Sequence, residues 1–324
     1  MGADELPKIA ILDDYTSDSL KLADWAKLAP MFEPKVFNTN FGDHDVIINR
    51  LRDFEIICAM RERTPFPKYV LENLPKLKLL VTSGMRNASI DILAAEKMGV
   101  IVCGTHGSAD ATPELTWGLI LACARNIASD GANLKRGGWQ TQLGVELNGK
   151  TLGLLGLGKI GRRVAEFGRV FRMNVVAWSP NLTKSRCSDV GVKFVSKDSL
   201  FMESDFLSIH LVLGESTRNL VTGCLLSYMK PTAFLINTSR GPIVDEQAFI
   251  EVLKNRKIKG AAVDVYNIEP LPVFHPFREL DNLLMTPHSG YFTKETYKMF
   301  YSQMVENIQA WAKGRPMRVL SGNR

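Results

Sequence analysis

Apolar residues in this chain come as short runs separated by helix-length segments almost from end to end. The first set of runs is KIAIL (8–12), EIICAM (55–60), KLLVT (78–82) and VIVC (100–103). A second set follows: TLGLLG (151–156), NVVAW (174–178), DFLSIH (205–210), AFLIN (233–237), KGAAVDV (259–265) and LLMTP (283–287). Near-continuous apolar strands alternating with helices predict parallel sheets covered by helices on both faces. The two sets predict two doubly wound α/β domains. ATPELTWGLILACARNI (111–127) reads as a helix, with Pro113 tolerated in its first turn. KETYKMFYSQMVENIQAWAKG (294–314) reads as another, closed by Gly314. No Pro/Gly/Ser linker, fixed short repeat or low-complexity tract interrupts the pattern, and residues 137–139 are the most loop-like part of the middle.

Length agrees with two domains, since 324 residues exceed what one compact core usually holds. A composition of 45% apolar and 23% charged residues is that of an ordinary globular protein. No apolar run approaches the roughly 20 residues that a membrane span needs. The opening MGADELPKIAILDD is acidic and then strand-like, unlike a signal or transit peptide, so a cytoplasmic protein is expected. Five cysteines (Cys58, Cys103, Cys123, Cys187, Cys224) are scattered without a CxxC pair, which argues against disulfides and zinc and for small core residues. The net charge of +6 raises the question of nucleic acid, but the 40 basic residues are dispersed without an aromatic-interleaved cluster. A mildly basic surface that attracts small anions is the expectation.

TLGLLGLGKIG (151–161) changes the picture from fold to chemistry. A strand runs into Gly156-x-Gly158-x-x-Gly161, and Ile160, Val164, Phe167 and Phe171 then recur at helical spacing. In such a loop the glycines give a tight turn, close backbone approach to a diphosphate, and helix-on-strand packing. The helix N-terminus supplies free N–H groups and a positive dipole end. The next strand, NVVAW, should end in an acidic residue that binds the adenosine ribose of NAD, yet Ser179 occupies that position. Without that charge, NADP is permitted as well as NAD. Asn181, Thr183, Lys184 and Arg186 either contact a 2′-phosphate or form a solvated loop.

Three polar residues stand at or just past strand ends: Arg240 after AFLIN, Glu269 after KGAAVDV, and His288 after LLMTP. Ligands of open parallel sheets bind beyond the carboxyl ends of the strands, so the three can converge there. His44, His106 and His275 have no supporting constellation.

GKTLGLLGLGKIG (149–161), NTSRGPIVDE (237–246), AAVDVYNIEPLP (261–272) and TPHSGY (286–291) together resemble the D-isomer-specific 2-hydroxyacid dehydrogenases. The glyoxylate, hydroxypyruvate and phosphoglycerate enzymes belong to that family. PELTWGLILA (113–122) is similar to the family's inter-domain helix. The resemblance implies a Rossmann dinucleotide-binding domain (105–290) inserted into a flavodoxin-like substrate domain (1–104 and 291–324). It implies that Arg240 binds the carboxylate and carbonyl oxygens of a small 2-oxo acid, a task suited to a guanidinium fork. His288 would exchange a proton with the carbonyl oxygen as C2 exchanges hydride, and Glu269 would fix the imidazole tautomer. Cofactor contacts fall on Gly156, Gly158, Lys159, Ile160, Gly161, Ser179, Thr217, Thr238, Ser239, Asp264 and Gly290, with Asp264 accepting from the nicotinamide carboxamide. His210, at a strand end near the cofactor, is read as structural. A homodimer is expected, on the resemblance and on the apolar 111–127 helix. Trp139 in the loop 136–147 either reaches the neighbouring subunit or packs within its own chain.

Departures from the family pattern concern the substrate. Its loop, Ser83 to Asp91, has Arg86 in place of a glycine and Ala88 in place of an aspartate. Gly84, Met85 and Arg86 are the candidate substrate contacts, and Arg86 faces either a second acidic group of the substrate or solvent. His106 and Val212 replace prolines. A rival reading is a non-enzymatic NADH-sensing protein like the corepressors that resemble this family, which would need a peptide groove or a long tail. Formate dehydrogenase pairs its histidine with glutamine, and Glu269 argues against it. A stand-alone phosphoglycerate dehydrogenase stays open as an alternative, with no room expected for a C-terminal regulatory domain.

Overall fold

The computed structural model describes residues 6–29 and 31–322. The chain divides into two compact units: Met1–Ser108 with Thr293–Arg324, and Ala109–Phe292. Each is a parallel α/β sheet. Among the described residues, no helix is long and apolar enough to cross a membrane.

The first unit holds β1 (Lys8–Ile11), β2 (Glu33–Val36), β3 (Ile56–Ala59), β4 (Leu79–Thr82) and β5 (Ile101–Cys103). Their order is β2-β1-β3-β4-β5, the flavodoxin-like order. The inner strands β1, β3 and β4 are almost wholly buried, which is why they stand out as apolar runs. β2, reading EPKV, was not apparent from the apolar pattern. It is an edge strand paired only with β1, so only half its positions need be apolar and Pro34 is tolerated. The helix Lys294–Ala312 belongs to this unit. Thr293 caps its start by accepting from the Thr296 N–H, and Gly314 follows its end with φ +70. It buries Tyr297, Phe300, Tyr301, Met304, Val305 and Ile308, a stripe at helical spacing.

The second unit holds β6 (Thr151–Leu155), β7 (Asn174–Trp178), β8 (Lys193–Phe194), β9 (Phe206–Ile209), β10 (Phe234–Asn237), β11 (Gly260–Val263) and β12 (Leu283–Met285). Their order is β12-β11-β10-β9-β6-β7-β8, the doubly wound order of dinucleotide-binding sheets with one strand added. Neighbouring residues along each strand serve opposite cores. Leu155, Leu207, Leu235 and Val263 pack on one face, whereas Leu154, Phe206, Ile236 and Ala262 pack on the other. β8, two residues at the edge, has too little apolar sequence to be seen in advance.

The helix expected over 111–127 spans Ala111–Ala124. Asn126 adopts φ +55, a left-handed conformation that asparagine tolerates, and a separate helix, Ile127–Lys135, begins after it. That second helix buries none of its residues, so it carries no apolar face that a sequence pattern could reveal. The first helix buries Trp117, Leu119, Ile120 and Ala124 within its own unit. Four of the five cysteines are buried as well, consistent with core residues.

Asp205 registers the amino ends of three central strands. Its carboxylate accepts from the Thr151 N–H at 2.8 Å and pairs with Lys230 Nζ at 2.9 Å. Its backbone N–H donates to Thr151 O and its carbonyl accepts from Phe234 N–H, both at 2.9 Å. Asp205→Ala removes the side-chain bonds while leaving the Thr151 N–H unpaired, and a loss of about 1–3 kcal/mol in unfolding free energy is expected. Urea denaturation of the two proteins measures it.

Candidate active site

The strand order of the second unit reverses between β6 and β9, and the glycine loop leaves β6 at that switch point. Gly156 has φ +110, and a Cβ there would lie 2.6 Å from the His210 carbonyl oxygen. Only glycine makes this turn. Gly161 backs directly onto the Gly156 carbonyl, whereas Gly158 faces open space and leaves its backbone accessible. Gly158 also caps the helix Lys159–Val170 without any side-chain bond to the first-turn N–H groups. Lys159 is exposed and Ile160 half-buried at that end. A cradle open on its outer side, with a helix N-terminus behind it, fits a dinucleotide diphosphate.

Pairing of β6 with β7 sets Leu155 opposite Trp178, and Gly156 N–H donates to Trp178 O at 2.9 Å. Ser179 therefore lies beside the glycine loop. It is half-buried, and the Asn181, Thr183, Lys184 and Arg186 side chains that follow are exposed. His210, which ends β9, has its Nε2 sealed from solvent with no hydrogen-bond partner. Burial pushes that imidazole down to about 3, so it is neutral at any working pH and acts as packing beneath the loop. The Thr217 hydroxyl is engaged in its own turn, donating to Val212 O at 2.7 Å and accepting from Gly214 N–H at 2.8 Å.

At the carboxyl ends of β11 and β12 the structure brings Glu269 and His288 together. His288 Nδ1 and Glu269 Oε2 are 2.5 Å apart, both partly exposed. A carboxylate acceptor assigns the proton to Nδ1 and leaves Nε2 as the nitrogen free to exchange a proton with a ligand. His288 holds φ +53, a costly conformation for a residue with a side chain. The turn is tied down by Asp264, which accepts from the Thr286 hydroxyl at 2.5 Å, from Ser289 N–H at 2.7 Å and from Gly290 N–H at 2.8 Å. Burial pushes the Asp264 carboxyl up, against these bonds and the nearby His288, which favour its ionised form.

Arg240 leaves β10 on a turn built by its own strand. Asn237 Nδ2 donates to Arg240 O at 3.1 Å, and Asn237 Oδ1 accepts from Ser239 N–H at 3.1 Å. Thr238 is buried and shares a 2.8 Å hydrogen bond with Thr116, and the Ser239 hydroxyl donates to Leu211 O. The Arg240 guanidinium is half-buried and donates to Ser239 O at 2.8 Å. Gly241 lies flat on the backbone of Tyr266, where any Cβ would collide with the Tyr266 carbonyl. The arginine turn is thus packed against the loop that carries Glu269.

In the first unit, Gly84 donates its N–H to Thr105 Oγ1 at 2.9 Å and has φ +92. The Met85 and Arg86 side chains that follow are exposed. Arg61 Nη1 donates to Ser83 O at 3.2 Å and lies over Gly84. Of the remaining histidines, His106 is exposed, while His275 accepts from Phe277 N–H at 3.2 Å.

Sequence reasoning did not find Tyr266 or Thr286. Tyr266 N–H donates to Glu269 Oε1 at 2.9 Å, and its hydroxyl donates to Thr286 O at 2.8 Å. Both contacts involve backbone groups, which leave no residue-type signal at fixed spacing.

Residues 117–290 match the family described as D-isomer specific 2-hydroxyacid dehydrogenase, NAD binding domain. The chain is 38% identical over 256 residues to the glyoxylate reductase of Aeropyrum pernix, covering 76% of each protein. It is 36% identical over 272 residues to the D-3-phosphoglycerate dehydrogenase of Methanocaldococcus jannaschii, covering 83% of this chain but only 52% of that protein, so it spans about half that relative's length. A crystal structure of phosphoglycerate oxidoreductase from Vibrio cholerae superposes with a TM-score of 0.91 at 39% identity, covering 95% of this chain and 100% of that one.

Proposed function

The chain belongs to the D-isomer specific 2-hydroxyacid dehydrogenase family of NAD-dependent oxidoreductases, and on that premise we propose that it reduces a small 2-oxo acid of the glyoxylate or hydroxypyruvate type to the D-2-hydroxy acid. The observation that carries this reading is the 2.5 Å contact between His288 Nδ1 and Glu269 Oε2 at the sheet edge that also bears the glycine cradle. When bound at the glycine cradle, a reduced nicotinamide would supply the hydride that C2 of the substrate accepts. His288 gives the proton at Nε2 to the carbonyl oxygen, completing the alcohol, and takes it back in the reverse direction. Glu269 holds the ring and balances the imidazolium charge. Arg240 binds the carboxylate and the carbonyl oxygen and opposes the negative charge that develops there.

Diphosphate binding is assigned to Gly156, Gly158, Lys159, Ile160 and Gly161, and further cofactor contacts to Thr217, Thr238, Ser239 and Gly290. Asp264 Oδ1 already accepts two protein hydrogen bonds and Oδ2 one, which leaves Oδ2 an acceptor position for a carboxamide N–H. The turn of Gly84, Met85 and Arg86 is assigned to the substrate carboxylate. A cytoplasmic location agrees with five unpaired thiols.

His288→Ala is expected to lower kcat for the preferred oxo acid by roughly 10²–10⁴-fold with NADH affinity nearly intact. Arg240→Ala should also raise KM for the oxo acid. Glu269→Gln should move the falling limb of the reductive pH profile to lower pH, because the imidazolium loses its counter-charge. Nicotinamide absorbance with a panel of 2-oxo acids provides the readout. Cofactor binding without turnover of any of them would instead support an NAD(H)-sensing protein.

Cofactor choice turns on Ser179. If Ser179 leaves the adenosine pocket uncharged, NADPH should be used within about tenfold of NADH or better, about 1.4 kcal/mol. Ser179→Asp should restore preference for NADH, and kcat/KM for both cofactors at two ionic strengths decides it. A thousandfold preference of the wild type for NADH would show that another group reads the ribose.

We also assign a homodimer. Its support is the apolar surface of the segment after Asn126, where Ile127, Leu134, Trp139 (76% exposed) and Leu143 (92% exposed) each stand more than half exposed. Light scattering at micromolar concentration should give twice the chain mass, and Trp139→Glu with Leu143→Glu should lower it to one.

A further inference from the structure

Tyr266 touches Glu269 and the turns that carry His288 and Arg240, although it is none of the three groups assigned to the chemistry. Its backbone N–H donates to Glu269 Oε1 at 2.9 Å, leaving the other carboxylate oxygen to His288. Its hydroxyl donates to Thr286 O at 2.8 Å, and that carbonyl also accepts the His288 N–H at 3.0 Å. Its own carbonyl carries Gly241, the residue after Arg240.

The demand for such a residue comes from His288. A left-handed backbone costs about 1–3 kcal/mol for a residue with a Cβ, so the turn at φ +53 persists only if its neighbours hold it. Asp264 holds Thr286 through its hydroxyl and Ser289 and Gly290 through their N–H groups. Nothing in that set reaches Glu269. Among the described hydrogen bonds, Tyr266 is the residue bonded both to the Glu269 carboxylate and to the turn that carries the imidazole. The groups facing the imidazole are Glu269, the buried Asp264 and the Tyr291 ring at 5.6 Å.

Tyr266 is also built to stay in place. It is buried, and its ring lies 6.3 Å from that of Phe277. Burial and the charges of Asp264 and Glu269 push its phenol well above the ordinary range, so it remains a protonated donor.

We propose that Tyr266 is a positioning residue that locks the acid, His288, and its carboxylate partner, Glu269, onto one frame. The proposal rests on the general-acid reading of His288 given above. A 1 Å loosening of that pair weakens the charge-assisted bond that orients the ring, and a misoriented ring delivers its proton poorly.

Tyr266→Phe is the decisive variant, because it keeps the buried ring and removes one hydrogen bond. In the reductive direction kcat should fall by about 3- to 10-fold, the worth of one such bond. KM for the oxo acid and affinity for NADH should stay within about twofold, since Tyr266 contacts neither in this scheme. The falling limb of the pH profile should move to lower pH, as the pairing with Glu269 weakens. In the His288→Ala background the same substitution should cost nothing further, because a positioning residue acts only through the group it positions. The ring N–H proton of His288, strongly deshielded by its short bond to Glu269, should move upfield in the proton NMR spectrum of the variant and exchange faster.

A Tyr266→Phe enzyme with wild-type kcat and an unmoved ring N–H resonance overturns the proposal. So does a lowered kcat with the pH limb and the resonance both unmoved, which would mean a structural role alone. A wild type that turns over no 2-oxo acid removes the reading of the reaction, whereas the resonance comparison still decides whether Tyr266 sets the His288–Glu269 pair.

Discussion

Everything at this site depends on seven strands running the same way. In a parallel sheet all carboxyl ends fall on one edge, so the loops leaving β6, β7, β9, β10, β11 and β12 share that edge without any further device. The glycine cradle, Ser179, His210, Arg240, Glu269 and His288 are all strand exits or lie just beyond one. The buried runs of aliphatic side chains that make the strands also fix their register, as each run fills cores on both faces at once. Stability and chemistry are therefore arranged along the same strands, with the apolar residues in the middle and the polar ones where the sheet stops.

The cost of the arrangement is concentrated in the turn after β12. His288 sits in a conformation that side chains avoid, and a buried carboxylate, Asp264, is committed to holding it. Burying that carboxylate is itself unfavourable, which is why its ionised form needs hydrogen bonds from a hydroxyl and two N–H groups. The result is an imidazole whose Nδ1 is held by a carboxylate and whose Nε2 remains for a ligand. The carboxylate at the end of β11 is thus committed to holding the protein, and it leaves the imidazole after β12 with a free ring nitrogen.

Around the glycine loop the balance is different. A turn that only glycine can make lies against the His210 carbonyl, and a neutral, desolvated imidazole fills the space beneath. The loop after β7 then presents a serine hydroxyl rather than a carboxylate, with the basic side chains of Lys184 and Arg186 in solvent nearby. Such a rim is electrostatically permissive toward a second phosphate, and any attraction from exposed cations is screened by salt.

By itself the sequence determined whatever is written in residue type and spacing. The buried strands are legible as aliphatic runs, the dinucleotide cradle as three glycines between a strand and a helix, and Arg240, Glu269 and His288 as polar residues where such runs end. Edge strands such as Glu33–Val36 need apolar residues on only part of their surface, and the helix Ile127–Lys135 buries nothing, so neither leaves a pattern. Only the tertiary structure decided that His288 and Glu269, 19 residues apart, meet at 2.5 Å. It alone decided that Gly241 packs on Tyr266, and that Tyr266 and Asp264 hold the histidine turn. The physical reason is that these ties run largely through backbone N–H and carbonyl groups, which every residue possesses. Which of them come within hydrogen-bond reach is set by how the strands align, and no spacing along the chain records it.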